Sequence, residues 1–154
     1  MTFITNAYGM SWPSAGFPVN VSAYANWAGA YSTRGNLLVV ASHPTQRGGL
    51  GFEAVFHEAM HQWDDEIDNL LTREAKKQGR RVPGQLSHAL VWYTAGEAVR
   101  RVIPGHVPLG EAAGVWDRGI KPFRTAVVEA WKPYLDGKGS RDEALAEVIR
   151  RLPG

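Results

Sequence analysis

The sequence predicts an α+β domain: a small N-terminal sheet packed on a long helix and a second helix, with further helices completing the C-terminal half. Three observations predict this. Pro18 to Asn26 alternates, with Val19, Val21, Ala23 and Ala25 on one side and Asn20, Ser22, Tyr24 and Asn26 on the other, the mark of a half-buried strand. Leu37-Leu38-Val39-Val40-Ala41-Ser42 is a second, more continuously apolar strand. Phe52, Phe56, Met60, Trp63, Ile67, Leu70 and Leu71 then recur at steps of three and four, which is one buried helix stripe.

Residues 1–18 are rich in Gly, Pro and aromatics and read as irregular or short extended structure. Met1-Thr2-Phe3-Ile4 leads straight into strand-like sequence, as in a single domain spanning 1–154 that was cut from a longer precursor; loss of a signal segment would make it an exported one. Arg34-Gly35-Asn36 is a turn signal between the strands, which are expected to pair in an antiparallel or mixed sheet beside the helix. His43 to Gly51 is a glycine-rich loop leading into the first helix. That helix is expected from about Phe52 to about Gln78, where Gly79 stops it and Lys76 and Lys77 fill the last turn. Pro83-Gly84 makes a turn, and Ser87 can cap a second helix from His88 to about Ile103. Gly96 inside that helix costs about 1 kcal/mol relative to alanine, a cost that usually marks close approach of another backbone. Pro122 opens a helix to about Trp131, interrupted by Pro133, and Ser140-Arg141-Asp142-Glu143 is a capping-box pattern before a last helix, Arg141 to Arg151.

Composition narrows the function classes. A chain of 154 residues can bury a sizeable core, and 44% hydrophobic with 21% charged residues is ordinary for a globular domain. Net charge is +2 and the Arg pairs at 80–81, 100–101 and 150–151 are scattered, so no nucleic-acid surface is expected. No apolar run approaches membrane-spanning length. Cysteine is absent, so a metal site must use His and carboxylate.

The chemistry sits at His57-Glu58-Ala59-Met60-His61 in the first helix. Two histidines one helical turn apart project from the same side and can share one tetrahedral Zn2+. Glu58 then lies beside the open position, where a carboxylate can take a proton from a metal-activated water. Asp65, one turn beyond His61, either orients that imidazole or belongs to a solvated acidic face.

Catalytic zinc needs a third protein ligand, and the candidates are His88, Glu97, His106 and Glu111. A first helix running from His61 to Gln78 would end about 25 Å beyond the metal, and Glu97 lies about 15 Å back along the returning helix. Glu97, beside Gly96, is therefore the expected ligand; should the first helix break early, near Asn69, His88 competes. Tyr93 and His88 are candidate donors to the oxyanion of a tetrahedral intermediate, Tyr93 only if Glu97 binds the metal.

The strand 37–42, the loop, the His-Glu-x-x-His helix and a later helix with Tyr93 and Glu97 resemble the gluzincin zinc metallopeptidases. The resemblance extends to a compact bacterial group of that clan, on Trp27-Ala28-Gly29-Ala30-Tyr31 upstream and His88-Ala89-x-x-x-Tyr93-Thr94-x-Gly96-Glu97 downstream, over about residues 19 to 103. It implies a minimal zincin-like fold, zinc held by His57, His61 and Glu97, and Glu58 as general base and acid. It also implies an extended peptide or protein substrate lying along a sheet edge at Leu37–Ser42. Arg101 stands where gluzincins carry an acidic residue one turn after the last ligand. Ile67 stands where metzincins carry a third histidine. Two functions follow as expectations. One is a zinc peptidase, or a hydrolase of another amide or ester; the other is a non-catalytic zinc-binding scaffold, for which an intact Glu58 has no use.

Overall fold

The computed structural model describes residues 1–24 and 29–153. Its architecture is α+β, with one three-stranded sheet and several helices. Ala25 and Asn26 of the expected first strand, and Trp27-Ala28 of the upstream motif, lie outside the described residues.

The N-terminal segment departs from the extended structure expected of it. Thr2–Tyr8 is a helix, α1, which buries Ile4, Ala7 and Tyr8 and ends at Gly9 in the left-handed region. Its apolar residues fall at helical spacing, but the run is too short for that period to stand out from the aromatic-rich sequence around it.

The sheet comprises β1 (Val19–Ser22), β2 (Ala30–Thr33) and β3 (Asn36–Val40), in the order β1-β3-β2. β1 pairs parallel to β3, with Val19 opposite Leu37; β2 pairs antiparallel to β3, with Thr33 opposite Asn36. The turn at Arg34-Gly35 closes the β2–β3 hairpin, with Gly35 at φ 74°. β3 is therefore the central strand and not an edge. The segment that the resemblance implied to be a sheet edge is flanked on both sides, which its apolar run fits, and Leu37 and Val40 are almost fully buried. The edge beside the first long helix is β2, a strand the sequence reading left unassigned. β1 is more exposed than its alternation implied: Val21 is 70% accessible.

The first long helix, α2, spans Gly48–Met60, so the glycines expected in a mobile loop are its first turn. Gly49 is there for space: a Cβ on it would stand 2.7 Å from His106 Nδ1. α2 does not continue to Gln78. A 3-10 turn at His61–Trp63 separates it from α3, Asp64–Lys77, and Trp63 adopts φ −118° and ψ 23°, outside the helical region. The second helix, α4, spans Leu86–Arg100 and packs chiefly on α2. It starts at Gln85 without a side-chain cap, not at Ser87. The close approach at Gly96 is to Pro108, whose Cβ would lie 2.7 Å from an added methyl, and to the Glu53 side chain of α2.

After the short helix α5 (Leu109–Ala112) and two 3-10 turns, residues 124–135 form one continuous helix: α6 (Arg124–Ala126), a π segment (Val127–Trp131) and α7 (Lys132–Leu135). Pro133 does not interrupt it. The wider π turn lies directly before this proline, which has no N–H to give to a regular helical bond. α8 (Arg141–Arg151) begins with the expected Ser140–Glu143 capping box.

The main core lies between α1, α3, α4, the π segment and α8. At its centre Thr94 Oγ1 accepts from Trp131 Nε1 at 2.9 Å and pairs with Tyr8 OH at 2.9 Å, all fully buried. Burial then holds the Tyr8 hydroxyl in its neutral form. Thr94→Val is expected to leave both groups without a partner and to destabilise the protein by about 2–4 kcal/mol. Thr94→Ser keeps the oxygen and should cost clearly less; urea unfolding of the two variants against wild type checks this.

Candidate functional site

His57 and His61 sit one turn apart at the end of α2, and His88 sits in the first turn of α4. The packing of α4 on α2 brings their Nε2 atoms together. His57 Nε2 lies 2.9 Å from His61 Nε2 and 3.2 Å from His88 Nε2. Among the described residues these three form a group able to hold a metal ion.

The donor set fits a metal. Two nitrogens bound to one tetrahedral Zn2+ at 2.0–2.1 Å stand about 3.3 Å apart, close to the spacing found. The outward ring atoms fix the tautomers. The Asp64 carboxylate can only accept, so the His61 Nδ1 beside it at 2.9 Å carries the proton and Nε2 presents a lone pair. Gln85 Oε1 accepts from His88 Nδ1 at 3.3 Å with the same consequence. His57 is oriented differently: its Nδ1 is buried without a hydrogen-bond partner, and its ring stacks on Trp92 at 3.7 Å between centroids.

Electrostatics favour neutral ligands at two of the three positions. Burial pushes His57 well below the ordinary histidine range, and the neighbouring His61 and His88 push it further. Burial, then His61, lowers His88 as well. His61 differs, because burial lowers it but the hydrogen bond and charge of Asp64, with Glu58, outweigh that and raise it. Glu58, only 8% accessible, is raised to about 7: burial raises it, His61 opposes, and Asp64 adds to the rise.

The other residues singled out from the sequence lie elsewhere. Glu97 is nine positions beyond His88 on α4, about 13 Å along the axis. Its carboxylate is held by Arg100 Nη1 at 2.7 Å and Arg101 Nη1 at 3.1 Å. The reasoning that favoured it assumed an unbroken helix from His61 to Gln78; with α2 ending at Met60, α4 begins beside the motif, and its first turn supplies the third histidine. Tyr93 packs near Trp116 (6.3 Å between centroids) in a small recess with Glu97 and Arg100, outside the histidine cavity. Burial, then the Glu97 charge, raises its hydroxyl pKa. Asp64 and not Asp65 meets His61, because residues three apart eclipse in a 3-10 turn.

Two concavities meet at the motif, sharing Glu58 and His61. One, of about 420 Å³, extends from His57 and His88 past Trp92 to an apolar wall of Leu109, Val115 and Ile120, with Arg118 also in its lining. The other, of about 570 Å³, runs along β2 between Tyr31–Arg34 and Gln62, Asp64 and Asp65. Gln62 ties the two sides: its Nε2 donates to Ser32 Oγ and to Thr33 O (2.9 Å), and its Oε1 accepts from Gly35 N at 2.7 Å. His43, at the start of the loop before the first helix, lines the first cavity, with Nδ1 2.8 Å from Thr45 Oγ1. Trp92, Gln85, Gln62 and Asp64 also escaped sequence reading. For Asp64 the signal was present, three residues after His61.

The chain matches no known family, no curated protein and no solved structure at a significant level.

Purified protein is expected to take up about one Zn2+ per chain. His57→Ala, His61→Ala and His88→Ala should each lose it, whereas Glu97→Gln should keep it. Metal analysis after dialysis against a zinc buffer tests this, and zinc loss from Glu97→Gln with retention by His88→Ala would reverse the assignment.

Proposed function

We propose that this chain is a zinc-dependent hydrolase of the peptidase type. The observation that carries the reading is the convergence of three histidine Nε2 atoms beside a buried carboxylate, Glu58, raised to about 7. His57, His61 and His88 would hold the ion. Three imidazoles without thiolate suit zinc among the common divalent ions. Bound there, zinc supplies Lewis-acid polarisation of a carbonyl and a water acidic enough to be deprotonated near neutral pH.

The chain's own groups do the rest. Glu58 takes the proton from the attacking water, holds it, and delivers it to the leaving amine. Its closed surroundings suit this shuttle, since a solvated glutamate would be a weaker base and would lose the proton to water. Asp64 fixes the ring of His61, Gln85 that of His88, and Trp92 the plane of His57. Tyr93 is not available as the oxyanion donor, and His43 takes that role. Thr45 engages His43 Nδ1 through its N–H at 3.4 Å and its hydroxyl at 2.8 Å, and with both donating, the ring proton on Nε2 would be a donor in the cavity wall.

Peptide bonds are favoured over other amides and esters by the sheet. Among the described residues β2 pairs only with β3, and its open side borders the concavity at Glu58 and His61. An extended peptide can add there as a further strand, with its scissile carbonyl carried to the histidines. The rail for substrate is then β2 and not the central strand β3.

Glu58→Gln is expected to retain zinc and to lower hydrolysis of a fluorogenic peptide library by 10²–10⁴-fold. His43→Ala should lower kcat more than it raises KM, with zinc again retained. Zinc-loaded wild type without turnover on any peptide would support a metal-binding scaffold in place of an enzyme.

A further inference from the structure

Part of the lining of the histidine cavity is built after α4, and it carries one charge among apolar side chains. Gly114, at φ 60°, turns the chain into the 3-10 turn Val115–Asp117. The turn places Val115 in the apolar wall and leaves Arg118 at its end, lining the same cavity as the three histidines. The acids of this segment are already engaged: Asp117 with Lys121 at 2.9 Å, and Glu111 with Arg124 at 3.5 Å. Arg118 has no carboxylate partner among the described residues. Its hydrogen bond is from Nη2 to Ala113 O, at 3.2 Å, which holds the group while leaving most of its donor fork open.

An arginine fastened by one carbonyl, free of acids and set beside an apolar wall is arranged for a planar anion on an apolar ligand. We propose that Arg118 binds a carboxylate of the substrate, with the adjoining apolar side chain against Leu109, Val115 and Ile120 and the bond to be cleaved at the histidines. This inference deepens the hydrolase reading of the same cleft and rests on it. A cavity of about 420 Å³ lies at the lower end of the range for small-ligand sites, so the carboxylate and the scissile bond belong to the same or adjoining residues. The carboxylate is that of a chain terminus or of an Asp or Glu side chain. In the reaction served, one water is consumed: its hydroxyl joins the acyl carbon, the C–N bond breaks, and its proton leaves with the amine.

Calorimetric titration of the zinc-loaded protein with N-acetylphenylalanine, its amide, and N-acetylaspartic acid α-amide tests this without turnover. The free acid is expected to bind about tenfold or more tightly than the amide, and Arg118→Ala should erase that preference while Arg118→Lys keeps part of it. Arg118 is exposed, so circular dichroism should find both variants folded. Preference for N-acetylphenylalanine over the aspartic amide assigns a chain terminus; the reverse assigns an acidic side chain. Equal affinity for acid and amide in wild type, or a preference that survives Arg118→Ala, overturns the proposal. The hydrolase reading fails separately, by absence of turnover in a protein that still discriminates acid from amide.

Discussion

The packing of the first turn of α4 against the last two turns of α2 is the constraint on which the site depends. It brings His88 to His57 and His61, and it is possible only because α2 stops at Met60. Had the helix run on to Gln78, the returning helix would have met the motif with its middle and not its start. The 3-10 turn at His61–Trp63 has a second consequence. It rotates Asp64 onto His61, which fixes the tautomer that a metal ligand needs. One local departure from helical geometry thus selects both a partner histidine and its neighbour's orientation.

The electrostatics of the cluster follow from crowding and burial. Three imidazoles with nitrogens about 3 Å apart cannot all carry protons, and the most buried of them, His57, is the most strongly held neutral. Glu58, beside them, is pushed the other way, toward holding a proton. A cation placed among the three nitrogens relieves the lone-pair repulsion and draws Glu58 back toward its ionised form. Adjacent groups driven in opposite directions are the pattern expected where proton transfer is the work.

Much of this was legible in the sequence, and the failures have physical causes. The motif helix, the β2–β3 turn, the capping box of α8 and a second helix packed on the first are visible because each rests on a local rule: periodicity, turn chemistry or capping. Glu97 was chosen on the length of an unbroken first helix and the small residue beside it, but Arg100 and Arg101, three and four residues on, pair with it along its own helix. Those arginines were in plain sight at helical spacing. His88 was harder to see, since its place depends on a break that the apolar stripe through Trp63 and Ile67 conceals. β2 was missed because Ala30–Thr33 has little hydrophobic contrast; its pairing comes from the hairpin turn and from Gln62, a tertiary contact.

α2 also sets the width of the cleft from both sides. Just past its end, Gln62 grips the β2–β3 hairpin. One turn before His57, Glu53, fully buried, accepts from His106 Nε2 at 2.7 Å and from Leu109 N at 3.0 Å. Burial raises the Glu53 pKa and those two donors oppose the rise, so the carboxylate depends on the loop it holds. That loop carries Pro108 against Gly96, where no larger residue would fit, and leads into the wall formed by Leu109, Val115 and Arg118. The two polar clamps flank the histidines on one helical scaffold, so the wall that bears Arg118 and the strand that borders Glu58 keep a fixed relation to the histidine cluster. Walls fixed in this way hold the three histidines in one arrangement before any ligand arrives.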